Sequence, residues 1–287
     1  MIRIGPAGWS YDDWWGRVYP HPAPRGFDPL EYLARYFDTI EINSSFYRPP
    51  TTAMTRRWVA RVGENPRFKF TAKLYRKFTH ERTPTPEDEA SFKRGMEPLV
   101  EAGKLGAVLL QFPWSFKNTP DAREYISELV RRFAEYPLVV EVRHASWNVE
   151  SVYEFFREHN VGFCNIDQPV FRRSLGPTRR VTAPVGYVRL HGRNYDNWFS
   201  ESATAAARYD YLYSHEELKP WIENIRAIAQ TAADVYVITN NHYQGKGVVN
   251  ALELKADIEG TAVPVPEPLI RAYPRLESLA LTTDFSR

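Results

Sequence analysis

The chain has 287 residues, of which 43% are hydrophobic and 25% are charged. This composition is typical of a soluble globular protein, long enough for one large α/β barrel or two smaller domains. The formal net charge of +2 is too small, and the lysines and arginines are too scattered, to indicate a nucleic-acid-binding protein from composition alone.

The sequence has none of the usual signs of a membrane or secreted protein. No apolar run approaches the roughly 20 residues that a membrane-spanning helix needs, and MIRIGPAGWS lacks the layout of a signal peptide. The single cysteine, Cys164, excludes an intramolecular disulfide, and its place in VGFCNID indicates a buried structural thiol rather than a nucleophile. We therefore expect a cytoplasmic protein that does not bind membranes.

Eight runs of β-branched or aromatic residues predict strands along the chain. In chain order they are IRIG (2–5), TIEIN (39–43), FKFTAK (68–73), AVLLQF (107–112), LVVEVR (138–143), GFCNID (162–167), GYVRLHG (186–192) and VYVITNN (235–241). Amphipathic segments between them predict helices, for example DPLEYLARYF, DAREYISELVRRFAEY and VESVYEFFREH. This alternation predicts α/β architecture, a single (β/α)8 TIM barrel over residues 1–287. An open doubly wound sheet is the rival, but GPAGW after the first strand is not a GxGxxG fingerprint.

Two segments depart from the regular strand–helix repeat. QPVFRRSLGPTRRVTAP, after the sixth strand, contains three prolines and predicts an irregular unit with at most one short helix. YDNWFSESATAAARYDYLYS, after the seventh strand, predicts a long loop. Loops of that length in a compact domain are usually functional or mobile.

Several strands carry charge on one face. In LVVEVRHASWN (138–148), Val139, Glu141 and Arg143 alternate with apolar residues on the opposite face. In a barrel, the polar faces would point inward, with later residues nearer the C-terminal mouth. The residues predicted to converge there are Glu41, Asn43, Lys73, Gln111, Glu141, Arg143, Asp167, Arg189, His191 and Asn240 or Asn241.

Burying unpaired ions costs several kcal/mol each, so this arrangement indicates a functional site rather than plain core. The alternative is an interior lattice of ion pairs that holds the barrel shut. Six of the eight tryptophans follow predicted strands, which suggests stacking on a sugar ring or a base, although some could simply plug the barrel top. His80 and His144 lie in loops after strands, where each is either a proton carrier or an exposed residue without a role.

The local sequence contains no HExxH, CxxC or HxH motif, and we predict no cofactor. A divalent metal remains an alternative, with Glu41, Glu141, Asp167 and His191 as its dispersed ligands. The cations predicted at the same mouth would repel a metal ion and would suit a phosphate or carboxylate instead.

The motifs together resemble a known family. FDTIEINSSFYRPP, FKFTAKLYRKFTH, VLLQFPWSF, VVEVRHASW, YVRLHG and ITNNHYQGKGVVNALEL look like successive signatures of the domain-of-unknown-function 72 family, also called YecE-like proteins. The resemblance implies a single YecE-like TIM-barrel domain but no established reaction. It implies these family positions: Glu41, Asn43, Phe46, Tyr47, Lys73, Thr79, His80, Gln111, Pro113, Glu141, Arg143, Trp147, Arg189, His191, Gly192, Asn240, Asn241 and Asn250. The last strand departs from the family pattern, with Thr239 before the paired asparagines where an aromatic residue is more common.

The leading hypothesis from sequence is an enzyme that acts on a phosphate-bearing ligand, either a sugar phosphate or a nucleic-acid backbone. Its catalytic candidates are Glu41 and Glu141 as acid and base, with His191 assisting. Its substrate-binding candidates are Trp9, Asn43, Tyr47, Lys73, His80, Gln111, Arg143, Trp147, Arg189, Asn240 and Asn241. The alternatives are a non-catalytic module that binds a nucleic acid or an anion, and a metal-independent glycosidase. The sequence leaves the oligomeric state open.

Overall fold

The computed structural model describes residues 1–198, 200 and 204–281. Its eight strands are β1 Ile2–Pro6, β2 Thr39–Ile42, β3 Lys69–Lys73, β4 Leu105–Gln111, β5 Leu138–Glu141, β6 Gly162–Asp167, β7 Val185–Leu190 and β8 Asp234–Thr239. They form one parallel sheet in the order β1-β8-β7-β6-β5-β4-β3-β2. Ala7 bridges Glu41 in parallel, and the Gly8 N–H donates to the Glu41 carbonyl oxygen at 2.9 Å. The sheet thus closes between β1 and β2, and the predicted TIM barrel is confirmed.

Helices surround the sheet, as the amphipathic segments predict. They are α1 Pro29–Leu33, α2 Ser44–Tyr47, α3 Thr52–Arg61, α4 Pro86–Glu101, α5 Pro120–Arg132, α6 Glu150–Glu158, α7 Ala205–Arg208, α8 His215–Ala229, α9 Lys246–Glu259 and α10 Glu267–Ala272. Capping boxes start α4 at Thr85 and α8 at Ser214, so the first free N–H groups of both helices have side-chain partners. Among the helices that the structure describes, none is both long and apolar enough to cross a membrane.

The two irregular segments lie where the sequence places them. Residues 168–184, all described, contain no helix, and a long connection carrying α7 joins β7 to α8. Residues 199 and 201–203 of that predicted loop lie outside the described residues.

Short helices at the carboxyl ends of strands are the main feature that the sequence did not predict. They include α2 after β2, a π-helix at Lys77–Glu81 after β3, and a 3-10 helix at Ala145–Trp147 after β5. A single turn is too short to show the periodicity that marks a helix in a sequence. These turns fix side chains around the barrel mouth.

The closure between β1 and β2 depends on a glycine. A Cβ on Gly5 would lie 1.9 Å from the Thr39 carbonyl oxygen, a separation that backbone atoms cannot tolerate. We expect Gly5→Ala to lower the free energy of unfolding by about 1–3 kcal/mol, because the strand must shift to make room. Urea-induced unfolding measures the loss. Gly176→Ala is the matched control, since a Cβ there meets no atom within 4 Å, and an equal effect of both substitutions would contradict the explanation.

Candidate functional site

A fully buried arginine connects three strands inside the barrel. Arg189 on β7 donates from Nη2 to Glu41 Oε1 at 2.7 Å and from Nη1 to Glu141 Oε2 at 2.6 Å. Its Nη1 also lies 3.2 Å from Gln111 Oε1 at the end of β4. Both carboxylates are fully buried, so each ion is compensated inside the protein rather than by water. The strand alternation was therefore right to place these four side chains together.

Glu41 has a second partner that the sequence analysis missed. The Tyr187 hydroxyl donates to Glu41 Oε2 at 2.9 Å and lies 2.7 Å from the Thr71 hydroxyl. Burial raises the pKa of Tyr187 well above its ordinary value, so the phenol stays neutral and remains a donor. Its position two residues before Arg189 was the available signal, because the same alternation puts both side chains on the inner face.

Glu141 is held by a second arginine from the mouth side. Arg143 Nε and Nη2 both lie 2.9 Å from Glu141 Oε1, and the guanidinium stacks over the Trp198 ring at 5.6 Å. Burial alone would raise the pKa of Glu141, but Arg189 and Arg143 hold it well below its ordinary value. Glu141 is therefore an ionised carboxylate at neutral pH.

His191 lies between this carboxylate and β8. Its Nε2 is 3.1 Å from Glu141 Oε1, and its Nδ1 is 3.0 Å from the Asn240 amide nitrogen. With Asn240 donating to Nδ1, the ring proton lies on Nε2 and points at Glu141. Burial lowers the pKa of His191 to about 3, so the ring is neutral at pH 7. It acts as a neutral donor that orients the carboxylate.

These contacts bear on the predicted acid–base roles. A general acid needs a carboxyl group whose neutral form is favoured, whereas Arg189 and Arg143 favour the ionised form of Glu141. Glu41 and Glu141 share that one guanidinium and neither is exposed. The geometry therefore resembles the ion-pair lattice more closely than a free pair of catalytic carboxylates.

Lys73 differs from Arg143 and Arg189, the other two cations at the mouth, because it forms no ion pair with a carboxylate of the described residues. It is half-buried at the end of β3, and its ammonium lies 4.3 Å from the Phe46 ring centre. Among the described residues, no carboxylate oxygen comes within 4 Å of it. Burial and the nearby Arg189 lower the pKa of Lys73 to about 7, although Glu41 and Glu141 act in the opposite direction. The Ser45 hydroxyl donates to the Lys73 carbonyl at 2.7 Å, which fastens the helix carrying Phe46 to this strand.

His80, from the π-helix after β3, lies beside this lysine. Its ring packs edge-to-face on Phe46 at 4.8 Å, and its Nδ1 is 3.0 Å from the Thr79 hydroxyl. Burial, together with the charges of Lys73 and Arg143, lowers the pKa of His80 to about 4. The second histidine of the mouth is thus also neutral at pH 7.

An aromatic groove adjoins the mouth on the β1 side. Its volume is about 340 Å³, and it is lined by Gly8, Trp9, Ser10, Tyr11, Asn43, Ser44, Met54 and Trp58. Trp9 packs edge-to-face on Trp58 at 5.3 Å, and the Asn43 amide lies 3.4 Å from the Tyr11 hydroxyl. Tyr47 is 66% exposed at the rim beyond Phe46. The structure therefore places Trp9, Asn43 and Tyr47 around the mouth rather than inside it.

The expected position of Asp167 was wrong. On β6, Cys164 faces the interior, with its sulfur 4.0 Å from Glu141, so Asp167 has the opposite parity and points outward. There it binds Arg193 at 2.7 Å, the Tyr213 hydroxyl at 2.8 Å and the Trp221 indole at 2.6 Å. It cannot join the other three residues as a metal ligand. The part of the chain that the structure describes holds no group of three or more His, Cys, Asp or Glu side chains suited to a metal.

Two predicted ligand-binding residues lie in the scaffold instead. Trp147 is fully buried because its 3-10 helix turns it toward the core, where its indole donates to the Phe116 carbonyl at 2.8 Å. Asn241 follows Asn240, the inward-facing residue directly after β8, and it is also fully buried but points outward. Its amide donates to Asn250 Oδ1 and to the Tyr211 carbonyl, each at 2.8 Å. The sequence analysis placed both side chains at the barrel mouth, and this placement was wrong.

Most of the remaining predicted residues do meet at one place. The structure brings together Glu41, Lys73, His80, Gln111, Glu141, Arg143, Arg189, His191 and Asn240. Phe46 and Tyr187 join them.

Comparison with known proteins agrees with this architecture. The family model "Protein of unknown function DUF72" matches residues 3–272. The chain belongs to the DUF72 family. The UPF0759 protein YunF of Bacillus subtilis is 28% identical over 269 residues, covering 88% of this chain and 93% of YunF. The UPF0759 protein YecE of Escherichia coli is 28% identical over 148 residues, covering 50% of this chain and 49% of YecE.

Solved structures of the family share the fold. A DUF72 family protein of Thermotoga maritima MSB8 is 35% identical, with a TM-score of 0.78 that covers 90% of this chain and 99% of that one. Another, from Enterococcus faecalis V583, is 26% identical, with a TM-score of 0.80 covering 90% and 96%. The resemblance inferred from the sequence is confirmed, and it brings no known reaction with it.

The buried ion pairs of this DUF72 protein predict a large cost when one carboxylate is removed. Glu141→Gln leaves Arg189 with a single carboxylate and Arg143 with none, so we expect a loss of about 3–5 kcal/mol of unfolding free energy. Urea-induced unfolding at pH 7 measures it. Glu124→Gln removes the exposed partner of Arg131 and should cost no more than about 1 kcal/mol. A small loss for Glu141→Gln would mean that the pairs are not what holds the strands in place.

The neutral state of His191 predicts a pH dependence of stability. The unfolded histidine takes up a proton near pH 6.5 and the folded one only near pH 3, so acid favours the unfolded chain. The contribution is complete above pH 6.5 and is lost as the pH falls toward 3. We expect His191→Gln, which keeps a donor to Glu141 but cannot titrate there, to flatten this slope in urea unfolding between pH 7 and pH 5. Parallel slopes for the two proteins would contradict the assignment.

Proposed function

We propose that the mouth of this DUF72 barrel binds a phosphate-bearing ligand, either a sugar phosphate or a segment of nucleic-acid backbone. The observation that carries the proposal is an excess of positive charge. Glu41 and Glu141 face three cations, Arg143, Lys73 and Arg189, and the Lys73 amine has no carboxylate within 4 Å among the described residues. An anion is the group that would balance this excess.

Arg143 is the arginine placed to meet such an anion. Its Nε and Nη2 are occupied by Glu141, while Nη1 has no hydrogen-bond partner among the described residues. Its side chain is 13% exposed, whereas that of Arg189 is fully buried. Because Glu141 already holds one edge of the guanidinium, the other edge can bind an anion without a further loss of side-chain entropy. Ligands of TIM barrels bind at this C-terminal face.

The remaining features of the mouth support a ligand that carries polar groups beyond the phosphate. Asn43 and Tyr47 lie at the rim, and the neutral His80 lies beside Lys73. The glycosidase alternative has less support, because both carboxylates are buried on one guanidinium.

We expect millimolar inorganic phosphate to raise the thermal unfolding temperature of the protein, with potassium chloride at equal ionic strength as the reference. Arg143→Lys keeps a cation beside Glu141 but removes the free edge, so the apparent Kd for phosphate should rise about tenfold or more, the cost of about one charge-assisted hydrogen bond. Affinity should also fall as the pH rises above about 7, because Lys73 loses its charge there.

Arg76→Lys is the matched control, because Arg76 is exposed and paired with Glu81 at 2.8 Å. Its phosphate affinity should equal that of the unsubstituted protein. If phosphate causes no shift, or if Arg143→Lys leaves the affinity unchanged, the proposed site is wrong.

A further inference from the structure

We infer that Lys73 is a nucleophile that forms an imine with a carbonyl carbon of the bound ligand, so that the ligand is a phosphorylated aldehyde or ketone. This inference rests on the proposed function, because the phosphate held by Arg143 is what would deliver the carbonyl group to the amine. It goes further by assigning a covalent step, and with it a class of substrate.

The first argument is the environment of the amine. A lysine is a nucleophile only in its neutral form, and near pH 7 an ordinary exposed lysine is neutral in less than about one molecule in a thousand. Lys73 is half-buried against Phe46 and has Arg189 and Arg143 nearby. Glu41 and Glu141 favour its charged form, but among the described residues neither carboxylate comes within 4 Å of the amine, and burial with the two arginines outweighs them. Burial and neighbouring cations are the two influences that make an amine neutral at physiological pH. With a pKa of about 7, the Lys73 amine is neutral in about half of the protein molecules near pH 7.

The second argument is the rigidity of the amine's support. Lys73 is the last residue of β3, its carbonyl accepts from Ser45, and its side chain packs on Phe46. A reactive group on a strand end is positioned more accurately than one on a loop. The lysine also emerges at the face where barrel ligands bind, on the same mouth as the free edge of Arg143.

Other lysines of this chain differ in the features that matter. Lys77, four residues along, is paired with Asp88 at 3.1 Å, and that hydrogen bond raises its pKa. Lys104 has a lowered pKa through burial, but its amine donates to the Asn65 carbonyl at 2.8 Å. Each therefore serves as an internal reference for the reactivity of Lys73.

The chemical step balances without any further co-reactant. The lone pair of the neutral Nζ attacks the carbonyl carbon, which forms a C–N bond and converts the C=O double bond into a hydroxyl group. The nitrogen then loses its second proton, and the hydroxyl leaves as water after protonation from solvent, which yields the imine and one molecule of water. No electrons are transferred in forming the imine.

The test traps this imine by reduction in the full-length protein. The protein is incubated with glycolaldehyde phosphate and sodium cyanoborohydride, whose hydride reduces the C=N bond to a stable secondary amine, and the modified peptides are located by mass spectrometry. We expect Lys73 to be modified at least about tenfold faster than Lys77 or Lys104, at a rate that rises through about pH 7. Inorganic phosphate should compete, and unphosphorylated glycolaldehyde should react more slowly at Lys73.

Two matched variants distinguish the nucleophilicity of Lys73 from its positive charge. Lys73→Arg keeps the positive charge and removes the nucleophile, so it should abolish the fast modification while phosphate still raises the unfolding temperature. Lys77→Arg should leave the fast modification unchanged. Modification spread over exposed lysines, equal in Lys73→Arg and the unsubstituted protein, would overturn the inference.

The outcomes also distinguish this inference from the function on which it rests. A phosphate-dependent thermal shift without fast modification of Lys73 would refute the imine and leave phosphate binding intact. Absence of both would refute the anion site itself. Fast modification of Lys73 that phosphate does not slow would support the nucleophile and overturn its link to a phosphorylated ligand.

Discussion

The interior of this barrel depends on one guanidinium that two carboxylates share. Glu41 and Glu141 come from β2 and β5, and without Arg189 between them two negative charges would lie in a medium of low polarizability. Pairs of this kind often contribute less stability than apolar residues of the same shape would, but removing one partner is costly because a charge is left buried. The arrangement therefore fixes β2, β5 and β7 relative to one another more than it adds stability.

This constraint determines what the other groups at the mouth can do. Because Arg189 and Arg143 keep Glu141 ionised, this carboxylate orients cations instead of exchanging protons. His191 stays neutral because it is buried, although Glu141 favours its charged form. Lys73 is therefore the group at the mouth whose pKa lies near neutral pH, and among the described residues no carboxylate oxygen comes within 4 Å of its amine.

Strand periodicity predicted the barrel and most of its charged interior, because a period of two leaves little freedom once the apolar face is known. It placed Glu41, Glu141 and Arg189 together correctly. It failed for Asp167, because in the run GFCNID either alternating set of residues could face the interior. The pairing of Cys164 with Tyr187 on β7 shows that the set containing Cys164 faces inward and the set containing Asp167 faces outward. The same pairing explains the missed role of Tyr187.

Side chains just beyond the strands were harder to predict, for a different physical reason. Trp147 and Phe46 lie on single helical turns, where the direction of a side chain depends on local backbone angles that composition does not reveal. The Trp147 indole is buried in the core, whereas the Phe46 ring lies beside the amine of Lys73.

The reactivity of Lys73 follows from charges that belong to the fold. Burial is the main cause of the lowered pKa of Lys73, and Arg189 lowers it further from inside the barrel, where it also holds the two carboxylates. A barrel that replaced this cluster with apolar residues would be expected to gain stability, and it would remove both the cation that favours a neutral Lys73 amine and the two carboxylates that oppose it. Arg189 therefore has two consequences: it pairs with Glu41 and Glu141, and it lowers the pKa of Lys73. Because the fold requires the first, it also keeps the second.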